Sequence, residues 1–352
     1  MSGRVQFAFE GRTIDAPEGQ SIAAALYAAG VKTLSWSSKY RRPRGLRCMS
    51  GSCPNCALRV DGLQGVTACL TPVRGGERVE RQKPVARMLP LDRLSRLAPA
   101  GFYYERFAHS PRAWRYAERG LAKLAGVAEL APASAGHVGG YRERSADVLV
   151  VGGGRRGMTA ALDASAAGAD VVLVERDIQL GGGLIGQKDP RHAIDARAQH
   201  LVANEVEVLL GTTYIGAFEE GVAGLVDKRG LTAVAAEEVI ECHDNVDREL
   251  AFANGDRPGV LLAGGLRRLL VRDDVRPGTE GVVVGPREER ASVLELLTGA
   301  GVRVAAEAEA DQLVAAHGRR EVNAVTIGDQ EIKCDFVVLA LGRCRPPLRG
   351  RP

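Results

Sequence analysis

The sequence predicts an α/β protein in two parts: a small domain built on a hairpin and a helix, then a larger one built on parallel βαβ units. Three stretches carry that expectation. They are an alternating apolar run near the N-terminus, a knot of cysteines after it, and a glycine-rich turn between two apolar strands past residue 145. With 352 residues, 45% apolar and 26% charged, the composition is that of an ordinary globular chain long enough for two or three domains. No apolar run reaches the roughly 18 residues of a membrane-spanning helix, and "MSGRVQFAFEG" lacks the apolar centre of a secretory signal, so no transmembrane segment and a cytoplasmic location are expected. A formal net charge of +4 is small for this length and does not call for a nucleic-acid partner.

Residues 5 to 16, "VQFAFEGRTIDA", alternate Val5, Phe7 and Phe9 with polar neighbours, turn at Gly11 and resume at Ile14, which reads as a two-stranded hairpin. In "EGQSIAAALYAAGV", Ser21 is placed to cap a short alanine-rich helix and Gly30 to end it. Hairpin, helix, then cysteine loop is the order of a β-grasp, ferredoxin-like domain, expected over residues 1–84. Residues 85–144 are expected to form an aromatic-rich helical connector, because six of the chain's sixteen aromatics fall between Phe102 and Tyr116. Such a stretch either packs between domains or docks on a partner subunit. "APASAGHVGG" is its expected hinge. Beyond it, "DVLVV", "DVVLV", "EVEVLL", "GVVVG" and "FVVLALG" alternate with helical stretches, the pattern of a parallel α/β sheet. The expected division is an FAD-type dinucleotide-binding domain over 145–254 and 326–352, with a second, NAD-type Rossmann-like domain over 255–325.

Four of the seven cysteines lie between residues 48 and 69. In "RCMSGSCPNC", four residues separate Cys48 from Cys53 and two separate Cys53 from Cys56; twelve separate Cys56 from Cys69. The first two intervals are the plant-type [2Fe–2S] spacing, with a more distant fourth ligand. Four thiolates must converge on two irons while backbone amides turn toward the sulfurs, so the loop needs small residues, and Ser50, Gly51 and Ser52 supply them. A structural zinc site would usually show two Cys-x-x-Cys pairs, and only one is present; zinc and unligated thiols remain the alternatives. Upstream, "KYRRPRGLR" brings Lys39, Arg41, Arg42, Arg44 and Arg47. They read either as cations that stabilise a negatively charged cluster or as a solvated basic face.

"ADVLVVGGGRRGMTAALDASAAGADVVLVER" supplies the parts of a dinucleotide fingerprint: apolar strand, Gly152-x-Gly154-x-x-Gly157, helix, second strand, and Glu175 eighteen residues past Gly157. The first glycine makes the tight turn, the second admits the pyrophosphate, the third lets helix and strand close up, and the acid accepts from a ribose hydroxyl. Arg155 and Arg156 stand where small residues are usual and either add charge to the phosphate site or obstruct it. Arg176, Gly182 and Gly183 follow, and Gly181 to Gly183 permit close approach to a bulky ligand, which suits FAD better than NAD. Gly342 of "FVVLALG" completes the candidate set. The second strand–turn–helix, at "GVVVGPREERA", keeps only Gly285, so NAD(P) there is doubtful. No catalytic residue is expected: neighbouring Cys242 and His243 would point apart on a strand, and His109, His137, His192, His200 and His317 show no ligand spacing.

Together, "FAFEGRTIDAPEGQSIAAALYAAGV", "KYRRPRG", "GFYYERF", "DVLVVGGGRRGMTAA", "EVEVLLGTTYIGAFEEG" and "FANGDRPGVLLAGGLRRLL" resemble the N-terminal half of the alpha subunit of heterotetrameric sarcosine oxidase. The wider family includes opine oxidase and hydrogen cyanide synthase subunits and dye-linked proline dehydrogenases. The resemblance implies a Rossmann-type two-dinucleotide-binding flavoprotein fold behind the ferredoxin-like domain, with FAD and a [2Fe–2S] cluster as cofactors. It also implies a partner: a flavin-containing beta subunit that oxidises the small amine or amino acid, while this chain passes electrons on. The expected class is thus an oxidoreductase subunit acting on CH–NH groups. The alternatives are a self-contained NAD(P)H-dependent reductase and a non-catalytic scaffold with a degenerate nucleotide site. Three departures from the family bear on the first nucleotide site, the degraded second glycine turn being one. "VIECHDNVDREL" replaces the usual "ATG" strand end, and relatives continue past "FVVLALGRCRPPLRGRP", so the partner is expected to complete that site or the site to be weak.

Overall fold

In the computed structural model, residues 3–37, 42–82, 110–125, 139–186, 190–218, 221–242 and 245–344 are described. The "GFYYERF" segment, most of the hinge, Lys39, Arg41, His109, His137, His243 and Asp244 lie outside them.

Arg4–Phe9 runs antiparallel to Arg12–Pro17, and Glu10 and Gly11 between them have φ of 48° and 86°. A two-residue hairpin needs that left-handed backbone to follow the twist of its strands. Phe7, Phe9, Ile14 and Ala16 share the inner face and are at most 4% exposed. Against them lies the helix Ile22–Ala28, started as expected by Ser21, whose hydroxyl accepts from the Ala24 amide at 3.3 Å. The five-stranded sheet continues with Arg78–Arg81, parallel to Arg4–Phe9, then Ala57–Val60 and Leu63–Thr67. A mixed sheet with one helix across it is the β-grasp arrangement.

The second sheet orders Glu207–Leu210, Val171–Glu175, Gly140–Val151 and Gly230–Glu241 in parallel, then turns antiparallel through Val222–Asp227 and Thr213–Ala217. Val171 and Leu173 are buried against Met158, Ala161, Ile194 and Leu201 of the helices, and Val172 and Val174 against Ala223, Leu225 and Val234 of the strands Val222–Asp227 and Gly230–Glu241. Helix Arg155–Ala166 makes the crossover from Gly140–Val151 to Val171–Glu175. A third sheet repeats the plan with Val260–Leu262, Phe336–Leu339, Glu280–Val284 and Arg303–Ala308, all parallel, and helix Arg287–Gly299 as crossover. A meander of Leu313–His317, Ala324–Ile327 and Gln330–Lys333 is appended to it.

One expectation is corrected by the strand pairing. Phe336–Leu339, assigned above with residues 326–352 to the first dinucleotide unit, sits in the middle of the third sheet, between Val260–Leu262 and Glu280–Val284. An apolar run four residues long fits the centre of either parallel sheet, and nothing local tells them apart.

The β-grasp unit does not stand alone. Its core of Phe7, Ile22, Leu26 and Leu58 is continuous with Leu266, Leu269, Val283, Val338 and Phe336 of the third sheet and its helices. Each such side chain, fully buried, contributes about 1.5–3 kcal/mol. The contact is close enough to exclude a methyl group: a Cβ on Gly265 would lie 2.1 Å from the Arg47 carbonyl oxygen, which also accepts from the Leu262 amide at 3.1 Å. The cysteine loop is thereby seated on the start of the Ala263–Arg267 helix.

Candidate functional site

The loop that carries Cys48, Cys53 and Cys56 is contorted, with Met49 at φ 53° and Gly51 at φ 72°. The φ of Gly51 favours glycine there, and a Cβ would also displace the Leu70 side chain, whose Cδ1 lies 2.6 Å from its position. The sulfurs form two couples. Cys48 and Cys53 are hydrogen-bonded at 3.2 Å, and Cys56 is hydrogen-bonded to Cys69. In the first couple the Cys48 thiol is held down to about 5, chiefly by the Cys53 thiol and then by the Ser50 amide against the opposing effect of burial, while Cys53 is pushed up by the same bond. Cys56 is likewise lowered by Cys69, and Cys69 raised. The Cys48 charge raises both Cys56 and Cys69, so the two couples lie within electrostatic range of each other. Backbone amides of Ser50 and Asn55 turn toward Cys48 and Cys53 respectively.

This donor set suits a dinuclear centre. Each iron of a [2Fe–2S] cluster takes two thiolates and two bridging sulfides, which is a two-by-two arrangement. Among the described residues, no three of His, Cys, Asp or Glu are placed to hold one metal ion, as a zinc site would need.

At the glycine turn, Gly152 has φ 110° and a Cβ there would lie 2.6 Å from the Cys242 carbonyl oxygen. At Gly157 it would lie 1.8 Å from the Gly152 oxygen, so strand and helix close with no room for a side chain. Gly154 caps the helix without a side-chain bond, leaving the first-turn amides for a ligand. A cavity of about 660 Å³ opens there, a size suited to a cofactor. Gly152, Gly154, Glu175 and Arg176 line it; Thr212 and Tyr214 face them; Asp247 and Arg343 flank it; and Ser50, Gly51 and Ser52 of the cysteine loop form a further wall. The Glu175 carboxylate accepts from the Gly153 amide at 2.6 Å and the Asp177 amide at 2.7 Å, which fixes it at the strand end. Tyr214 is pushed up to about 12, first by burial and then by Glu241, so it stays a neutral donor.

Gly157, Gly182, Gly183 and Gly342 shape the site from behind rather than line it. Gly181 donates to the Gly153 carbonyl at 2.9 Å, and Gly342 at φ 74° accepts from the Arg248 amide at 3.0 Å, which turns Arg343 inward. Arg155 and Arg156 are exposed and are not among the residues lining the cavity. Cys242 lines the cavity beside Gly152, and burial raises its thiol.

A buried ion network missed in the sequence joins the three units. Asp177 pairs with Arg268 at 2.9 Å and Arg272 at 2.6 Å, and Arg272 with Asp273 at 2.7 Å. Asp273 in turn accepts from the Ser21 amide at 2.8 Å. Burial alone would raise Asp177, but Arg272 and Arg268 hold it below the ordinary carboxylate range. Breaking a buried pair of this kind from one side costs about 3–5 kcal/mol. The only local signal was an acid two residues past Glu175.

The basic segment has found acids. Arg42 and Arg44 both reach Asp256, at 2.7 and 3.3 Å, and Arg47 pairs with Glu249. These pairs wall a hollow of about 510 Å³ beside Cys53. They fasten the cysteine loop to the 249–256 segment rather than forming a solvated basic face.

The second glycine turn is filled from within. Arg290 donates to the Gly285 carbonyl and, at 3.0 Å, to the Ala308 carbonyl, and it pairs with Glu309 at 2.7 Å. Glu309 follows its strand as Glu175 ends the earlier one, so the side chain positioned for a ribose is bound to the protein's own guanidinium.

With this geometry in view, comparison with known proteins is direct. The family described as "2Fe-2S iron-sulfur cluster binding domain" matches residues 2–84, and "FAD dependent oxidoreductase" matches residues 147–188. The alpha subunit of sarcosine oxidase from Rhizobium meliloti (strain 1021) is 29% identical over 334 residues, covering 86% of this chain and 34% of the relative. The chain is similar to the sarcosine oxidase alpha subunits over most of its length. It carries the [2Fe–2S]-binding and FAD-dependent domains together, as the sequence led one to expect. A hydrogen cyanide synthase subunit of Pseudomonas protegens (strain DSM 19095 / LMG 27888 / CFBP 6595 / CHA0) is 29% identical over 183 residues, covering 47% of this chain and 39% of that one. The chain spans about a third of the length of the curated relatives it matches. Among solved structures, L-proline dehydrogenase from P. horikoshii superposes with a TM-score of 0.73 at 22% identity, covering 97% of this chain and 60% of that one. That likeness shows the fold, a ferredoxin-like domain ahead of Rossmann-type units.

Proposed function

We propose that this chain is the electron-carrying member of a multi-subunit dehydrogenase or oxidase acting on the CH–NH group of a small amine or amino acid. Cys48, Cys53, Cys56 and Cys69 would hold a [2Fe–2S] cluster. Gly152, Gly154 and the first-turn amides of the Arg155–Ala166 helix take the pyrophosphate of FAD, with Glu175 at its ribose. A flavin accepts electrons in pairs and releases them singly, and a [2Fe–2S] cluster carries one at a time. The observation that carries the reading is the shared wall: Ser50, Gly51 and Ser52 line the same cavity as Gly152 and Gly154, so one thin loop separates the two sites. Those residues position the two groups; no proton-abstracting base is assigned to this chain. Substrate oxidation falls to a flavin-containing beta subunit, by analogy with the sarcosine oxidase assembly to which the relatives belong. Cytoplasmic location fits this role.

The self-contained NADH reductase is disfavoured by Arg290, which occupies its own turn. Purified chain, prepared anaerobically, is expected to show cluster absorption, flavin peaks and about two irons. NADH alone is expected to leave that spectrum unchanged. Bleaching by NADH would select the reductase instead, and folded protein without iron and sulfide would remove the cluster assignment.

A further inference from the structure

Arg272 touches all three units at the point where the two proposed sites meet. Its side chain is 2% exposed. The guanidinium donates to the Cys69 carbonyl at 3.0 Å and to the Met49 carbonyl at 3.4 Å. One carbonyl belongs to a proposed ligand and the other to the residue after a ligand. Its countercharges are Asp177, which lines the cavity, and Asp273, which is tied to Ser21 of the β-grasp unit. Arg268 faces Asp177 from one turn earlier.

Taking up one electron adds one negative charge to a four-thiolate cluster and neither makes nor breaks a bond. Net charge and hydrogen bonding around the sulfurs set where that happens. A buried charge acts over longer range than an exposed one, because little water screens it. We propose that Arg272 sets the reduction potential of the cluster, raising it, and that Asp177 opposes it from the cavity side. This rests on the assignment of Cys48, Cys53, Cys56 and Cys69 as ligands. Arg272 is a positioning and tuning residue, since it touches ligand backbone and not the reacting atoms.

A merely structural clasp would behave differently. Removing either Arg272 or Asp177 would then loosen the same joint, with no opposed change in potential. The test is a potentiometric titration of the full holoprotein, followed by cluster absorption and by the electron paramagnetic resonance of the reduced state. In Arg272→Gln, the ratio of reduced to oxidised cluster at a fixed potential is expected to fall about tenfold, equivalent to about 59 mV for one electron. Asp177→Asn is expected to raise it by a similar factor. Arg272→Lys, which keeps the charge, is expected to stay within about threefold. Shifts of the same sign in Arg272→Gln and Asp177→Asn, or a shift below about twofold in both, would overturn the proposal. Should Arg272→Gln not fold, Asp177→Asn decides the matter, and an unmoved or lowered potential there is fatal. Absence of cluster bands from the unmodified chain would sink the ligand assignment; normal bands with unmoved potentials would sink only the role of Arg272.

Discussion

Gly265→Ala is the most incisive single change this fold offers. The added methyl would sit 2.1 Å from the Arg47 carbonyl oxygen and 3.3 Å from the Cys48 carbonyl carbon. Comfortable contact is beyond about 3.4 Å, so the peptide joining Arg47 to Cys48 must retreat by more than 1 Å. That movement breaks the bond from the Leu262 amide to Arg47, now 3.1 Å long, and leaves a buried amide unpaired, at about 1–3 kcal/mol. Overpacking adds a further 1–3 kcal/mol or so. The strain falls on the backbone of a proposed ligand. Cluster retention under a chelator is therefore expected to drop about tenfold or more, while FAD content changes little because the glycine turn lies elsewhere. The control is Gly299→Ala, at the end of helix Arg287–Gly299, where an added Cβ meets nothing within 4 Å. It is expected to be neutral or slightly stabilising. The measurement is bleaching of cluster absorption with time, beside flavin fluorescence. Equal cluster lifetimes in Gly265→Ala and Gly299→Ala would refute the seating of the cysteine loop on the Ala263–Arg267 helix.

Two further outcomes follow from the geometry. Glu175→Ala removes the acceptor for the Gly153 and Asp177 amides, each a charge-assisted bond worth about 1.5–3 kcal/mol, so FAD affinity is expected to fall ten- to a hundredfold in a fluorescence titration; unchanged affinity would detach Glu175 from the cofactor. Asp177 is held below the ordinary carboxylate range, so its contribution to stability is complete above the unfolded value near 4 and is lost as pH falls through the lowered folded value. Chemical denaturation from pH 6 down to 3 is expected to show a loss in the native chain that is absent in Asp177→Asn, and parallel curves for the two would contradict it.

What the sequence disclosed were local signals. Ser21 as cap, the Glu10–Gly11 turn and the glycine turn at 152–157 each depend on residues within a few positions, and a local backbone rule governs each. The cysteine spacing was legible for the same reason. The ion network was not, because Asp177 and Arg272 are 95 residues apart and "LRRLLVRDD" looks like the charged side of any surface helix. The basic run at Arg42 to Arg47 was ambiguous because its partners, Glu249 and Asp256, lie more than 200 positions away. The placement of Phe336–Leu339 failed for a related reason: periodicity identifies a buried parallel strand but carries no address for the sheet it joins. That the two proposed sites share one wall was likewise a matter of tertiary packing alone.

The unbroken interior linking Phe7 and Leu26 to Val283 and Phe336 has a mechanical consequence. A domain that swings between two partners must detach at little cost, and the β-grasp unit would have to bare a continuous apolar seam to do so. In the role proposed above, the spacing between the two sites is therefore set at folding. The same seam is expected to keep the two pieces together in a chain severed between residues 82 and 140.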